Sequence, residues 1–261
     1  MALTLLNLEE LWRFLFLTVR LSALMFTLPF FSSRVIPAPL KVVCIITLSV
    51  SFYPIVQRQA VPMLFGPVHL GLLILGELLV GLLIGFVAQV LFASIQLGGE
   101  LMNQQMGLSL ASILDPQNGQ QSSIVSNFQY ILAFLLFFAG PAHHRVMQAM
   151  AESLHTIPLL GSTLPTTMVP FLVQLFSTAF VMAVQIAAPI MAALLLANIG
   201  MGIVARLVPQ MNVFIVSFPV TIGVGLIMLA GMLPYYSGSL RVLFGQLTSS
   251  MHTLMHMLAG G

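Results

Sequence analysis

Long stretches of this sequence carry no charge. Asp, Glu, Lys and Arg are absent from Pro116 through His144, from Ser153 through Ala205, and from Leu207 through Leu240. Soluble domains carry about 25% charged residues. Here 5% of 261 residues are charged and 59% are hydrophobic, so the chain lacks the polar surface needed to face water. The uncharged runs follow one another too closely to leave room for a separate soluble domain. These features describe an integral membrane protein built from apolar helices, an all-α fold rather than a soluble enzyme.

A helix needs roughly 20 mostly apolar residues to cross the hydrocarbon core. Six stretches come near that length: Leu11 to Phe31, Val42 to Val56, Leu70 to Ile95, Ile124 to Gly140, Met168 to Ile203 and Val213 to Leu233. The second is short and ends at Pro54. The fifth is too long for one upright span and contains Pro189, which removes a backbone donor and predicts a kink. If all six cross, one side receives Arg13, Arg58, Arg145 and Arg241, and the other Arg34, Lys41 and Arg206. That near-even split departs from the positive-inside pattern. Either so few charges cannot show a bias, or some segments do not cross and are shielded by other protein chains. The N-terminus, with Glu9 and Glu10 ahead of Arg13, lacks the positive start of a cleavable signal, so the first segment is expected to stay.

Two connections are long. Gly98 to Ser123 is rich in Gln, Asn, Ser and Gly but keeps an apolar centre from Met106 to Leu114. Pro141 to Pro165 carries His143, His144, Arg145, Glu152 and His155, and reads as a solvated loop. In the tail, Leu240, Phe244, Leu247, Met251, Leu254 and Leu258 alternate steps of four and three. That is the narrow seam of an amphipathic helix with a partner-facing edge. Arg241, Gln246, Ser249, His252 and Thr253 lie off the seam.

Charges inside apolar helices are costly, and they pair or line a pathway. Glu9 and Arg13 stand one turn apart in the favourable order, with Arg20 two turns further on the same face. Glu77 and Glu100 are the carboxylates available to these arginines. Glu77 interrupts a long apolar helix, so it needs a donor, water or a proton, either in a structural pair or at a functional site. Gly76, Gly81 and Gly85, the alanines from Ala187 to Ala197, and Gly223 with Gly225 mark close helix packing.

Chemistry-bearing motifs are sparse. His252 and His256, spaced i, i+4 among Met251, Met255 and Met257, lack a third strong ligand, and a plain amphipathic helix is the better reading. No GxSxG, Walker or GxGxxG pattern is present, so any energy must come from a partner or an ion gradient. No cofactor is expected, and the net charge of +2 is too scattered for nucleic acid. Cys44 has no disulfide partner in the chain. Most of the 17 methionines are core filler, but Met102 and Met106 are candidates to seal a channel around variable cargo.

Two stretches carry a family resemblance. One is Gln105-Met106-Gly107, followed by Ala111 and Asp115-Pro116-Gln117. The other runs from Val208-Pro209-Gln210-Met211-Asn212 through Val216, with Phe218-Pro219 after it. Together with length and segment order, they resemble the R component of the type III export gate, the FliR/SctT-like family, over essentially the whole chain. The resemblance implies a subunit that joins FliP-like and FliQ-like proteins in a helical hetero-oligomer. FlhB would contact the outside of the gate and FlhA would lie beneath it, in the flagellar basal body of the bacterial inner membrane. Unfolded flagellar subunits would pass through, driven by the proton motive force.

The implied fold is a P-like part over residues 1–165, a Q-like helical hairpin over 166–239, and an amphipathic C-terminal helix over 240–261. Much of it would sit above the bilayer plane. Pro209, Gln210, Met211 and Asn212 would form the hairpin turn, where Pro209 stops one helix and Asn212 can cap the next. The loop from Gln104 to Asn118 would project into the pore as a plug, with Gln104, Gln105, Met106, Gly107, Leu108, Ala111, Asp115, Pro116 and Gln117 as its residues. Arg13, Arg20, Glu77 and Glu100 are the intramembrane charges. The competing function is a secondary transporter with Glu77 as proton or ion carrier; an intramembrane enzyme using His143 or His144 lacks a nucleophile motif.

Overall fold

The computed structural model describes residues 8–32, 36–59, 66–109, 123–160, 165–210 and 212–260. Among them the structure is all helical, with no strand. In chain order the helices are α1 (Leu8–Thr27), α2 (Pro29–Ser32), α3 (Ala38–Val56), α4 (Pro67–Gln105), α5 (Ile124–Ala139), α6 (Ala142–Thr156), α7 (Met168–Leu207), α8 (Val213–Gly231) and α9 (Leu233–Leu258).

The boundaries follow local chemistry. Glu9 and Glu10 fill the first turn of α1, where the helix dipole favours negative charge. The Ser123 hydroxyl accepts the Ser126 N–H at 3.1 Å and caps α5. Helix α7 ends at Leu207, because the residue before Pro209 is pushed away from helical geometry.

Several expectations change. The stretch from Pro141 to Pro165, read as a solvated loop, contains the fifteen-residue helix α6. Val146, Ala149, Met150, Ser153 and Leu154 line its buried face, so His143 and His144 are helical, with ring centroids 4.1 Å apart. Helix α4 does not stop near Ile95 but runs for 39 residues to Gln105. Helix α7 continues through Pro189 for 40 residues, and α3 and α8 likewise contain Pro54 and Pro219. By length and composition, three helices among the described residues (α3, α4 and α7) can cross a membrane. The number rises to five if each of two helix pairs with a short break counts as one span. The first segment, α1, is not among them, so the chain is not a set of six uniform spans.

The chain divides into two compact units. One comprises the described residues within 1–91, 141–175 and 245–261. Its core is made by stripes at helical spacing, with Phe16, Leu17, Leu21 and Leu24 on α1 and Val80, Ile84, Val87 and Leu91 on α4. The GxxxG of α4 brings these helices together. A β-carbon on Gly81 would collide with the Arg20 carbonyl, and one on Gly85 with the Thr27 hydroxyl. Within this unit α1 also packs on α3, with Phe14 edge-on to Tyr53 at 6.2 Å.

The other unit comprises the described residues within 92–140 and 176–244. Here Ala183, Ile186, Ala187, Ile190 and Leu194 form the buried face of α7. A β-carbon on Gly98 of α4 would lie 3.0 Å from the Ala183 carbonyl oxygen. Phe92, Phe137 and Phe244 form a ring cluster with centroids 5.4 to 6.0 Å apart. The opposite face of α7 leaves Leu195, Leu196, Ile199 and Ile203 exposed in the isolated chain.

The seam expected in the tail is buried along its length, from Leu240 through Leu247 and Met251 to Leu258, but within this chain. Helix α9 also begins earlier than expected, at Leu233. The edge expected to face a partner is therefore closed by the chain's own helices.

Candidate functional site

Each unit gathers one set of polar or conformationally special residues. In the first unit, Arg20 and Glu77 lie on the buried stripes of α1 and α4, each 1% exposed. Arg20 Nε donates to Glu77 Oε2 at 2.6 Å, and Nη2 donates to Oε1 at 3.1 Å, a two-pronged pairing. Nη1 donates to the carbonyls of Ser153 and Ile157 at 3.2 and 2.8 Å, and Nη2 reaches the Pro158 carbonyl at 3.3 Å. Every N–H of the guanidinium therefore has an acceptor.

Glu77 Oε1 also accepts the Leu160 N–H at 2.7 Å. Leu160 sits at φ 67°, a left-handed conformation that costs a residue with a β-carbon about 1–2 kcal/mol. Gln59 completes the cage. Its Nε2 donates to the Leu154 carbonyl at 2.7 Å, and its Oε1 accepts the Leu159 N–H at 2.8 Å. The Gln59 carbonyl in turn accepts Arg13 Nε at 2.8 Å, while Arg13 Nη2 pairs with Glu9 at 2.8 Å. Side chains from α1, α4 and the turn after α3 thus clamp the backbone where α6 ends. Glu100 is half-buried and makes no ion pair among the described residues.

In the second unit the loop expected to be a plug begins with a defined joint. Gln104 and Gln105 are not loop residues; they are the exposed end of α4. Gly107 follows at φ +80°, its N–H bonded to the Gln104 carbonyl at 3.1 Å, while the Leu108 N–H reaches the Asn103 carbonyl at 3.2 Å. These paired bonds around a left-handed glycine are a Schellman stop, and they explain the glycine of the first motif. Met102 and Met106 are buried within this chain, 1% and 0% exposed. Ala111, Asp115, Pro116 and Gln117 lie outside the described residues.

The second motif meets the first at this joint. A β-carbon on Gly107 would stand 2.9 Å from the Phe218 ring, and one on Gly225 would stand 2.7 Å from Met106 Sδ. The Thr221 Oγ1 lies 3.2 Å from the Met106 carbonyl oxygen. At the hairpin turn, Pro209 and Gln210 are exposed after α7, and Met211 lies outside the described residues. Asn212 holds the N-cap position of α8, but its side chain makes no capping bond.

The two motifs that carried the resemblance are thus joined in space, and comparison with known proteins agrees with them. The profile of the bacterial export proteins, family 1, matches residues 11–247. The chain belongs to this family. The flagellar biosynthetic protein FliR of Bacillus subtilis (strain 168) is 33% identical over 251 residues, covering 94% of this chain and 95% of the relative. Its Escherichia coli (strain K12) namesake is 28% identical over 229 residues, covering 88% and 87%. The Yop proteins translocation protein T of Yersinia pestis is 31% identical over 183 residues, covering 69% and 68%. This member of the export family is a membrane protein and a component of a bacterial export apparatus.

Sequence reasoning placed Arg20 near a carboxylate but missed the carbonyls of Ser153, Ile157 and Pro158, which carry no side-chain signal. It also missed Gln59 and Thr221, for which nothing in their neighbours gave a cue. From sequence Gly225 reads only as a small residue, and nothing local signals the Met106 side chain that fills its space.

Proposed function

We propose that the chain is a structural and gating subunit of the flagellar type III protein export channel in the bacterial inner membrane, without enzymatic activity. In this reading the segment from Gln104 to Asn118 plugs the pore against ions until unfolded flagellar subunits pass. The P-like part (1–165), Q-like hairpin (166–239) and C-terminal helix (240–261) pack against FliP-like and FliQ-like subunits, with FlhB and FlhA nearby. The observation that carries the reading is the joint between the two family motifs. It gives the start of the loop a packed root, through Gly107 on Phe218 and Met106 on Gly225. The names of the relatives, flagellar biosynthetic protein for two and translocation protein for that of Yersinia, support export as the task.

Unpartnered apolar faces add weight. Leu196 of α7, Ile215 and Ile227 of α8 and Val169 at the start of α7 are each about 70% exposed, and apolar surface on this scale marks a lipid or protein contact. The transporter alternative, with Glu77 as ion carrier, draws no such support. Both Glu77 oxygens are engaged by three donors within the chain, as in a structural pair. The test is to shorten the loop within Gln104–Asn118 while sparing the cap at Met106 and Gly107. The assembly should remain intact but leak small ions. If the shortened channel holds ions as tightly as the unmodified one, the plug assignment is wrong.

A further inference from the structure

Within the second unit a small cavity lies where α8 gives way to α9. Leu229 and Tyr236 wall it from this corner, Ile186 and Ile190 from α7, and Met102 and Gln129 from α4 and α5. Its free volume is about 20 Å³, above the about 10–15 Å³ that one water needs and far below the about 300 Å³ of small organic-ligand sites. Water fits, and an organic molecule does not.

Size alone does not make such a space wet, because cavities lined only by apolar side chains stay dry. This one has polar walls. Val125, Gln129 and Ala133 form the buried stripe of α5, with the glutamine at its centre and 1% exposed. Gln129 Nε2 donates to the sulfur of Met102, a weak acceptor, at 3.2 Å. Its Oε1 is buried and accepts from no described residue, and a buried acceptor without a donor is costly. The Tyr236 hydroxyl donates to the Gln129 main-chain carbonyl at 3.0 Å. That bond spends its only proton and leaves the phenolic oxygen able to accept. Two wall residues thus bring acceptors that lack a matching donor. Water both donates and accepts, so it serves whichever end of the amide meets the cavity. Phe128, Leu233 and Tyr235, all exposed, also line the space and leave solvent a way in.

We infer that this cavity is a binding site for one ordered water, held by the Gln129 side-chain amide and the Tyr236 oxygen. The water ties α5 to the first turn of α9, at the corner where α8 ends. It also accounts for a glutamine on a helix stripe otherwise filled by valine and alanine. The site is independent of the plug.

The test has two arms. The first is a density map of the full chain in its assembly, at a resolution that shows ordered solvent. One solvent peak should lie within about 3.2 Å of both the Gln129 amide and the Tyr236 oxygen. No peak there, in a map that shows other buried waters, overturns the site, as does a protein donor at Gln129 Oε1.

The second arm is Gln129→Met, which keeps an unbranched side chain of similar length and removes both polar atoms. Its stability is read as protease resistance across a urea series, on the chain in mild detergent. If Gln129 holds a water, the variant takes a partner from it and the urea midpoint should fall. An unmet acceptor predicts the opposite sign, because its removal relieves a cost. A midpoint at or above that of the parent overturns the site. If the variant yields no folded chain, the map decides.

Discussion

Replacing Glu77 with Ala removes one half of a fully enclosed ion pair and leaves the other half in place. The Arg20 guanidinium, 1% exposed, would keep its charge with only the carbonyls of Ser153, Ile157 and Pro158 for company. Stranding one member of a buried pair costs about 3–5 kcal/mol. The part-buried Leu160 N–H loses its acceptor as well, and an orphaned donor costs about 1–3 kcal/mol when fully buried, less here. The two costs overlap, so a loss of about 4–6 kcal/mol is expected, a large share of the about 5–15 kcal/mol that holds a typical domain.

Replacing both residues, Arg20→Leu with Glu77→Leu, should recover part of that loss, since a buried pair contributes little net stability over apolar residues of similar size. Recovery is incomplete because Ile157 and Pro158 lose their donor, whereas the Ser153 carbonyl keeps its bond from the Ile157 N–H at 3.0 Å. Protease resistance across a urea series, measured on the chain in mild detergent, gives the ordering. Parent should be most stable, then the double variant, then Glu77→Ala. A Glu77→Ala chain within about 0.5 kcal/mol of the parent, the range of an ordinary surface change, would refute the clamp. So would a double variant less stable than the single one.

The GxxxG contact gives a paired prediction. Gly85→Val would force its β-carbon onto the Thr27 hydroxyl and the Leu24 carbonyl and should cost about 1–3 kcal/mol or more. Gly71→Ala, in the same helix with nothing within 4 Å, should stabilise by up to about 1 kcal/mol through helix propensity. On α9, Leu254→Ala at a fully buried seam position should cost about 2–5 kcal/mol. Thr253→Ala, exposed next to it, should stay within about 0.5 kcal/mol of the parent in the same proteolysis assay.

The legible parts of this fold are those where local spacing carries the signal. The step of four and three from Leu240 to Leu258 identified a buried helix edge, and Glu9 with Arg13 formed the i, i+4 pair their order favours. The all-α class and the family followed from uncharged runs and two short motifs. Composition misled where it stood in for periodicity. His143, His144, Arg145 and Glu152 made α6 look like a loop, although Val146, Met150, Ser153 and Leu154 already fell on one helical face. Gln96, Glu100 and Asn103 to Gln105 likewise hid the continuation of α4, whose true stop signal is Gly107.

The Arg20 clamp was only half visible for a different reason. Its carboxylate is 57 residues away in sequence, and its remaining acceptors are backbone carbonyls 133 to 138 residues distant. No side-chain pattern announces a carbonyl. Asn212 shows the reverse case: the position was right, but the expected capping bond is absent. A propensity names a place where a bond is common, and the local backbone decides whether it forms.

The most direct measurement is the mass of the particle extracted in mild detergent after the chain is co-expressed with the FliP-like and FliQ-like proteins proposed as its partners. A discrete hetero-oligomer containing this chain, too large to be any one subunit, is the expected result, with no solute transport by the chain alone. A monodisperse single chain that moves a substrate of its own across reconstituted vesicles would contradict it.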